Sequence, residues 1–323
     1  MRVAVVIVNY QSGQYLKGCL DSIEAQTRQP DRVLVVDNNS IDGSTATLVG
    51  RPSYIQFIPV STNLGFARAN NIAFSFADDC DYLALLNPDA IAGPDWLKSL
   101  LEGVERHDAI DCYGCRMLGY TSDDPADGTA DVYHVSGLYW RRDHGRAVSD
   151  IRHEEEEIFS PCAAAALYHR KSVMDVGGFD ESYFCYSEDV DLAFRLRARG
   201  SKAWYLPNAV VHHAGSATTG RRSDFSVYHG HRNLVWTFFK NMPGMYLWWF
   251  LPQHLLLNLA SIIHFTLRGQ GITILRAKRD ALIGLPRIIT SRRLQRYLRL
   301  VKPIDLITPM RRGLLTPYKN RHD

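Results

Sequence analysis

The 323-residue sequence lacks several features that mark particular protein classes. It has only six cysteines, which are scattered, and it has no low-complexity tract and no internal repeat. These absences argue against a disulfide-rich scaffold, a disordered protein and a repeat protein. The first apolar run, VAVVIVNY, is not followed by a Gly-x-Gly-x-x-Gly motif. A dinucleotide site of the usual kind is therefore not expected.

A strong net charge is also missing, but the charges are unevenly distributed. The chain carries +3, whereas residues 266–323 contain 14 Lys and Arg against three Asp, a net charge of +11 that leaves −8 for the first 265 residues. The basic part could meet anionic lipid or nucleic acid, and charge alone does not choose between them.

Cysteine usage and the start of the sequence indicate a compartment. Cys112 and Cys115 are the one closely spaced pair, and a single pair is weak support for a metal or redox site. No apolar signal segment precedes the first strand. We therefore expect reduced cysteines and a cytosolic protein.

Residues 244–267, GMYLWWFLPQHLLLNLASIIHFTL, form the one membrane-like run. The run is long enough to span a bilayer, but Pro252 and several polar residues interrupt it. Trp248 and Trp249, with basic residues after the run, favour a helix that lies in the membrane interface. A spanning helix and a soluble packing helix are the alternatives. The apolar residues of this run fit a lipid surface better than a groove that binds nucleic acid, so we expect no nucleic acid partner.

Apolar, β-branched runs alternate with amphipathic segments over the first 90 residues. The runs RVAVVIVNY, DRVLVVDNNS, IQFIPVS and YLALLNPD are typical of strands buried on both faces of a sheet. The intervening segments predict helices, the first of them with Ser12 as its N-cap. The alternation predicts an α/β fold with a mostly parallel, doubly wound sheet.

Residues 119–157 are acidic and less regular, which favours a solvated insertion or a mobile lid over the acceptor of the reaction.

Ligands of such sheets bind beyond the carboxyl ends of the strands, and each predicted end carries polar side chains. They are Asn9, Tyr10, Asp37, Asn38, Asn39, Ser40, Asn63, Asn87 and Asp89. Asp37 could accept hydrogen bonds from a base or a ribose hydroxyl, although its neighbours are also ordinary turn residues. Asp89 could share a divalent cation with a phosphate, or simply begin the turn before the next helix.

The segment CYSEDVDLAFRLRARG predicts a helix with acids in its first turn. Ser187 is the predicted N-cap, Glu188 and Asp189 follow it, and Asp191 and Arg195 form an i,i+4 pair. Acids in a first turn often do no more than complement the helix dipole. At a cleft, a carboxylate that the dipole keeps ionised is also a general base at neutral pH.

His212 and His213 end the apolar run AVV. An imidazole at the end of a strand can complete a metal shell that is short of carboxylates, although a solitary His is more often structural. Only one of two adjacent strand residues can face the cleft.

Six segments in order resemble the inverting glycosyltransferases of family two, which have the A-type nucleotide-sugar fold, and most of all their bacterial rhamnosyltransferase-like branch. The segments are VAVVIVNYQSGQYLKGCLDSI, VLVVDNNSIDGS, STNLGFARANN, LALLNPDA, VGGFDESYFCYSEDVDLAFRLRARG and HHAGSATTG, within residues 3–220. Each segment alone is weak, whereas their joint order and spacing are specific.

The resemblance implies a donor site at the strand ends. It implies that Asp37 contacts the nucleobase and that further residues surround the donor, namely Asn9, Tyr10, Asn39, Asn63, Gly65, Asn87 and Asp89. It also implies that Asp89 and His213, or His212 as the alternative, bind a Mn²⁺ or Mg²⁺ ion. One departure is that the family's Asp-x-Asp motif begins here with Asn87, which suggests a weaker metal site.

The resemblance further implies that Asp189 is the catalytic base, with Glu188 beside it and with Asp191 and Arg195 at the acceptor. The implied domains are a catalytic domain, residues 1–232, and a helical, basic, membrane-associating region, residues 233–323.

The implied reaction is a single displacement that moves a sugar from a nucleotide-diphosphate donor. The branch suggests dTDP-rhamnose as the donor and a polyprenyl-diphosphate-linked saccharide of cell-surface polysaccharide synthesis as the acceptor. The implied location is the cytoplasm, peripheral on the anionic inner face of the plasma membrane. A nucleotidyltransferase would favour a basic, glycine-rich loop after the first strand, which NYQSGQYLKG lacks. A non-catalytic membrane-docked scaffold would not need Glu188 and Asp189.

Overall fold

The first part of the chain forms the parallel half of a mixed α/β sheet. The computed structural model describes residues 1–107, 109–121, 123–215, 223–313 and 316. The parallel strands are β1 (Val3–Asn9), β2 (Arg32–Asp37), β3 (Ile55–Pro59) and β4 (Tyr82–Leu86), connected by α1 (Tyr15–Glu24), a 3₁₀ turn (Ser44–Leu48) and α2 (Gly65–Ser75). Their order is β3-β2-β1-β4, so the direction of the crossovers changes at β1. The predicted α/β fold is confirmed, and this change of direction is where such sheets open a ligand cleft.

The second part of the chain completes the sheet. Its elements are β5 (Ala90–Ala92), α3 (Trp96–Arg106), β6 (Ile110–Gly119), β7 (Ala130–Tyr133), β8 (Tyr139–Arg142), β9 (Glu156–Ile158), β10 (Ala165–His169), α4 (Arg170–Asp175), α5 (Glu188–Ala198) and β11 (Lys202–His213). The sheet continues from β4 as β10-β6-β11-β5, with β9 also on β11 and with β10 antiparallel to both of its neighbours. Strands β7 and β8 pair apart from it as an antiparallel hairpin.

The strand β1 is apolar throughout because both of its faces are covered. Val3 and Val5 pack in the cluster that includes α1 and α3, whereas Ala4 and Val6 pack in the cluster that includes α2. A strand covered on both faces needs apolar side chains at successive positions instead of at every second one.

The predicted start of the first helix is wrong. Helix α1 begins at Tyr15, with Gln14 and not Ser12 at its N-cap position. The Ser12 hydroxyl donates a hydrogen bond to the side-chain oxygen of Asn9, and Gly13 has a φ of 55°. A short loop therefore follows β1, because the side chain of Ser12 holds Asn9 instead of capping the helix.

The acidic segment 119–157 is not a solvated insertion. It contains the β7-β8 hairpin and β9, and Asp127, Asp131 and Asp143 are buried in it. Arg141 pairs with the first two of these carboxylates, and Arg142 lies 3.8 Å from the third. In the described part of the segment, its own arginines therefore pair with its buried acids.

Four helices follow β11, namely α6 (Asp224–Asn241), α7 (Tyr246–Leu267), α8 (Gly271–Leu298) and α9 (Pro303–Ile307). Helix α6 runs without a break across residue 232, at which we predicted a domain boundary. Buried Asn233 of α6 donates to backbone carbonyls in the loop before α5. The division at residue 232 stays a prediction.

Within the described ranges, α7 is the one helix long and apolar enough to cross a membrane. Only 17% of its most apolar window is buried inside the protein. Trp248, Trp249 and Leu267 are 68%, 79% and 83% exposed, whereas His254 and Leu257 are buried against the protein. One covered side and one exposed apolar side are typical of a helix that lies in an interface.

Candidate active site

A hydrogen-bonded group of polar side chains stands at the carboxyl ends of β1 and β2. The Asn9 amide donates to Asp37 Oδ1 at 2.7 Å and to Ser44 Oγ at 3.0 Å. The backbone N–H of Ser40 donates to Asp37 Oδ2 at 3.1 Å. Asp37 is thus a fixed, mostly buried carboxylate, and its remaining acceptor capacity suits the N–H and O–H groups of a nucleoside.

The loop between β3 and α2 holds two more predicted donor residues in a tight turn. Asn63 Oδ1 accepts from the Gly65 N–H, and Asn38 Oδ1 accepts from the Leu64 N–H, both at 2.9 Å. Gly65 has a φ of 80°, and a Cβ there would lie 2.6 Å from Phe184. Gly65 is therefore required for this loop to pack against the segment before α5.

Three other predicted donor residues stand at the same edge of the sheet. Tyr10 is 36% exposed directly after β1, and Asn39 is exposed in a left-handed turn (φ 65°) after β2. Asn87 follows β4, and its side-chain nitrogen lies 3.4 Å from His213 Nε2. A ligand beyond the strand ends could reach all three.

Asp89 and His213 are in contact. Because β5 pairs with the end of β11, His213 Nε2 lies 3.2 Å from Asp89 Oδ1. On the other side of the ring, His213 Nδ1 donates to Asp127 Oδ2 at 2.9 Å. His212 instead makes a 3.0 Å hydrogen bond through Nδ1 to the carbonyl of Gly119. Of the two histidines, His213 is the one beside Asp89, since successive strand residues point to opposite faces.

The charge around His213 suits a cation. Burial by itself lowers the pKa of His213, but its hydrogen bonds to Asp127 and Asp89, together with their negative charges, raise that pKa to about 9. The ring therefore keeps a proton at neutral pH unless another cation replaces it. A carboxylate behind an imidazole is also the usual way in which proteins orient a histidine ligand.

Arg141 connects this group to a second buried carboxylate. Its Nη1 donates to Asp127 Oδ2 at 3.0 Å, and its Nε donates to Asp131 Oδ1 at 2.9 Å. Burial raises the pKa of Asp127, but Arg141 and the two hydrogen-bonded histidines hold it well below its usual range. The forked guanidinium thus pairs with both buried acids at once.

Asp189 lies next to Asp131 at the start of α5. One carboxylate oxygen of each acid and the sulfur of Cys162 lie within 4.8 Å of one another. The N–H groups of Ala163 and Val190 donate to the Asp189 carboxylate at 3.2 Å and 2.8 Å. Burial and then the charge of Asp131 raise the pKa of Asp189 to about 7. An oriented carboxyl group with a pKa near neutrality is suited to take a proton from a hydroxyl.

The electrostatic argument made from the sequence is wrong for this helix start. We expected the helix dipole to keep Glu188 and Asp189 ionised, whereas burial raises the pKa of both. Glu188 has a pKa well above its usual range, and its buried Oε2 has no partner within the described residues. Burial thus favours the neutral form of Glu188. Ser187 occupies the N-cap position, but its hydroxyl donates to the Tyr139 oxygen at 2.7 Å and does not cap the helix.

The segment before α5 is held in an uncommon backbone conformation. Phe184, Tyr186 and Ser187 have φ angles of 66°, 69° and 68°. Each such angle costs on the order of 1–3 kcal/mol in a residue other than glycine. The amide nitrogen of Asn233 lies within 3.0 Å of three carbonyl oxygens of this segment. Helix α6 thus stabilises the backbone that presents Asp189.

Asp191 and Arg195 form the predicted i,i+4 pair, but they do so inside the protein. Arg195 Nε donates to Asp191 Oδ2 at 2.8 Å, and Asp191 is fully buried. The other oxygen of Asp191 lies 2.7 Å from Lys240 Nζ and accepts from the Asn241 amide at 2.9 Å. These contacts join α5 to α6, and the expected contact of Asp191 and Arg195 with the acceptor stays a prediction.

Two groups of side chains could hold a metal ion, and their chemistry differs. Asp89 and His213 offer a carboxylate oxygen and an oriented imidazole nitrogen, which suit Mn²⁺ or Mg²⁺ better than sulfur does. The group of Asp131, Cys162 and Asp189 includes a thiol whose pKa is raised well above its usual range by burial. A protonated thiol is a poor ligand for these hard ions. The first group is the better metal site, and the second is better suited to proton transfer.

Asp127, Asp131 and Arg141 were not found from the sequence. All three come from the segment whose charge suggested solvation. One signal was present, because Asp131 stands within the apolar stretch TADVYHV, and an acid in a buried strand needs a partner. The motif HHAGSATTG continues from Gly215 into residues 216–220, which lie outside the described residues.

Comparisons with known proteins match both the sequence and the fold. The family model Glycosyl transferase family 2 matches residues 4–177. The N-acetylglucosaminyl-diphospho-decaprenol L-rhamnosyltransferase of Mycobacterium tuberculosis is 30% identical over 243 residues, which cover 67% of this chain and 77% of that protein. Rhamnosyltransferase WbbL of Escherichia coli is 28% identical over 252 residues, which cover 69% and 87%.

A solved structure shares the fold at low identity. The mannosyltransferase PcManGT from Pyrobaculum calidifontis, in complex with GDP-Man and Mn²⁺, superposes with a TM-score of 0.55 at 17% identity. The superposition covers 95% of this chain and 86% of that one. At this identity, the likeness is evidence of a common fold.

Proposed function

The chain belongs to glycosyl transferase family 2, and from this premise we propose that it transfers rhamnose from dTDP-rhamnose to a hydroxyl of a polyprenyl-diphosphate-linked saccharide. The family membership and the A-type fold confirm what the six sequence segments predicted. The choice of rhamnose and of a lipid-linked acceptor is supported by the names of the two relatives.

The observation that carries the proposed chemistry is the position of Asp189. Its carboxylate is oriented by two backbone N–H groups, and its pKa of about 7 leaves it ready to take a proton at neutral pH. Asp189 removes the proton of the acceptor hydroxyl while that oxygen bonds to the anomeric carbon. The bond from the anomeric carbon to the diphosphate oxygen breaks at the same time, and the diphosphate leaves with the electron pair. Attack from the face opposite the leaving group inverts the configuration.

We assign the donor to the strand ends. Asp37, held by Asn9, is the proposed acceptor of hydrogen bonds from the nucleobase. Tyr10, Asn39 and Asn63 are the proposed further contacts of the nucleotide. The proposed role of Gly65 is to let the loop after β3 close against Phe184.

Asp89 and His213 would hold a Mn²⁺ or Mg²⁺ ion, with Asn87 beside them. When bound, such an ion supplies positive charge that stabilises a departing diphosphate. The residues themselves orient one another, because Asp127 fixes the ring of His213 and Arg141 fixes Asp127. This arrangement compensates for the second Asp that the motif at Asn87 lacks.

We also propose that the protein works at the cytoplasmic face of a membrane. The support is the exposed apolar side of α7, with Trp248 and Trp249 near its start, and the basic charge of residues 266–323. Aromatic and basic residues together are typical of proteins that bind anionic bilayer surfaces without crossing them.

The test is a screen of nucleotide sugars with the purified full chain, with and without Mn²⁺. Donor hydrolysis and thermal stabilisation are measured, followed by transfer to a polyprenyl-diphosphate-linked N-acetylglucosamine. We expect dTDP-rhamnose to give the largest response. Preference for another nucleotide sugar would refute the assignment of rhamnose. No response to any nucleotide sugar would refute the proposed enzyme and favour a non-catalytic scaffold.

A further inference from the structure

A cavity lies outside the catalytic cleft, between α5, α6, α7, α8 and α9. Its volume is about 570 Å³. Phe194 and Ala198 of α5 line it, and Ala198 is nine positions after Asp189 on that helix. At a rise of about 1.5 Å per residue, this end of α5 lies roughly 13 Å from the proposed base. No proposed donor, metal or base residue lines the cavity, so it is separate from these sites.

The cavity has an unusual charge. Arg292, Arg296 and Arg299 line it, and no Asp or Glu is among its lining residues. Lys240 also lines it, but that ammonium group is already paired with Asp180 and Asp191. The three arginines thus give the cavity a net positive charge.

The three guanidinium groups are not equivalent. Arg292 donates through Nη1 to backbone carbonyls at the end of α6, including that of Phe239 at 3.0 Å. Its pKa is lowered, first by burial and then by the charges of Arg296 and Arg299. Within the described ranges, the side chains of Arg296 and Arg299 have no hydrogen bond and no ion pair. Two guanidinium groups are therefore free to bind an anion.

The remaining wall and the rim are apolar. Phe194, Leu247 and Leu306 are buried in the wall, and Met245 and Trp248 stand at the rim with 84% and 68% of their surface exposed. Trp248 belongs to the exposed apolar side of α7. A basic cavity with an apolar wall, opening beside an exposed apolar helix, is complementary to an amphiphile with a negative headgroup.

We propose that this cavity binds the headgroup phosphate of an anionic membrane phospholipid, with Arg296 and Arg299 as its ligands and Met245 and Trp248 in the bilayer interface. A free anion would be served by the arginines alone and would not need the apolar wall and rim. The proposal rests on the membrane association proposed above and adds a specific site to it. It does not depend on the identity of the donor sugar.

The first experiment compares two double variants of the full chain. R296Q/R299Q removes both free ligands, and R268Q/R293Q removes two exposed arginines that do not line the cavity. Binding to vesicles of phosphatidylglycerol and of phosphatidylcholine is measured by cosedimentation. We expect the unaltered chain to prefer phosphatidylglycerol. Each double variant loses two basic charges near the membrane surface, worth about fivefold in affinity each. R296Q/R299Q also loses the two proposed ligands of the headgroup phosphate, so we expect it to bind phosphatidylglycerol about tenfold or more weakly than R268Q/R293Q. Equal losses in both variants, or no binding by the unaltered chain, would overturn the proposal.

The second experiment separates a lipid from a free anion. Dihexanoyl phosphatidylglycerol below its micelle concentration and inorganic phosphate are titrated while tryptophan fluorescence is followed, with Trp248→Phe to identify the responding ring. We expect the short-chain lipid to bind at far lower concentration than phosphate. Equal affinity for both would overturn the assignment to lipid.

A third readout keeps this site distinct from the proposed enzyme activity. Hydrolysis of the nucleotide sugar in solution needs no membrane, so R296Q/R299Q should retain it and should unfold at the same temperature as R268Q/R293Q. Lost vesicle binding with retained hydrolysis supports the lipid site. Loss of hydrolysis in R296Q/R299Q would place these arginines in the catalytic machinery and overturn it.

Discussion

His213 and Asp127 are joined by a hydrogen bond of 2.9 Å between the ring Nδ1 and a carboxylate oxygen. The bond turns Nε2 of the same ring toward Asp89, at 3.2 Å. Arg141 contacts the same oxygen of Asp127 at 3.0 Å. A segment that looked like an acidic insertion thus determines how the proposed metal ligands are oriented.

Asp127→Asn tests this arrangement. The amide presents both an N–H donor and a carbonyl, so it no longer fixes His213 with the same tautomer and charge. We expect the affinity for Mn²⁺ to fall about 10- to 100-fold, the usual cost of losing a carboxylate behind a metal ligand. Calorimetric titration of Mn²⁺ in the presence of dTDP measures it. Asp175→Asn removes an exposed carboxylate paired with Lys171 and is the matched control. Equal affinities in the two variants would contradict the role of Asp127.

Asp189→Asn tests the general base. The amide keeps the shape of the side chain but cannot take the proton of the acceptor, so turnover should fall by about 10²–10⁴ while donor binding is retained. Single-turnover transfer assays and dTDP-rhamnose binding measure the two effects. Glu188→Gln is the control, because burial favours the neutral form of Glu188 and the amide resembles that form, so its turnover should change far less. Near-normal turnover of Asp189→Asn would refute the assignment.

The pH dependence of turnover should report the same carboxyl group. Only the deprotonated form of Asp189 can act as a base, so kcat should rise with pH through a limb near 7. Asp131 contributes to this high pKa through its negative charge. Asp131→Asn removes that charge and leaves Arg141 in place, so the limb should move to lower pH. Profiles of kcat at saturating substrate measure the shift, and an unmoved limb would exclude coupling of the two acids.

Asn233→Ala tests whether α6 positions the catalytic segment. The variant removes the amide that bonds to three backbone carbonyls before α5. These hydrogen bonds stabilise a segment in which three residues have positive φ angles. A small displacement of Asp189 can cost up to about 100-fold in rate, so kcat should fall while KM for the donor stays the same. Asn258→Ala is the control, because it removes an amide that bonds only within α7. A rise in donor KM with unchanged kcat would contradict a positioning role.

The fold and the site differ in how far they can be predicted from the sequence. Continuous apolar runs identified β1 and β2 because a strand covered on both faces has no polar side, and this is a local property. The rule that ligands lie beyond strand ends then selected Asp37 and Asp89. To predict that Asp89 and His213 lie together, the order of the family motifs was needed as well, because more than 120 positions separate the two residues.

The rest of the site depends on contacts that have no local signature. Arg141 pairs with Asp127 and Asp131 only because the hairpin folds back on itself. The many acids in the sequence of this segment therefore predicted an exposed, solvated segment, whereas these side chains form a buried network. The pKa of Asp189 follows from burial and from Asp131, and neither is visible in the segment around it. Ser12 was assigned to a helix cap by its residue type, whereas its hydroxyl bonds to Asn9.

Lys240→Met tests the structural role of the buried ion pair between α5 and α6. Lys240 Nζ lies 2.7 Å from Asp191 and 2.6 Å from Asp180, and both Lys240 and Asp191 are buried. Removing the ammonium group takes the cation from Asp180 and leaves Asp191 paired with Arg195 alone among the described residues. Breaking a buried pair in this way costs up to about 3–5 kcal/mol. Urea unfolding should show this loss, whereas Lys171→Met breaks an exposed pair with Asp175 and should cost about 1 kcal/mol or less. An unchanged unfolding midpoint for Lys240→Met would contradict a stabilising role of this ion pair and would favour the predicted contact of Asp191 with the acceptor.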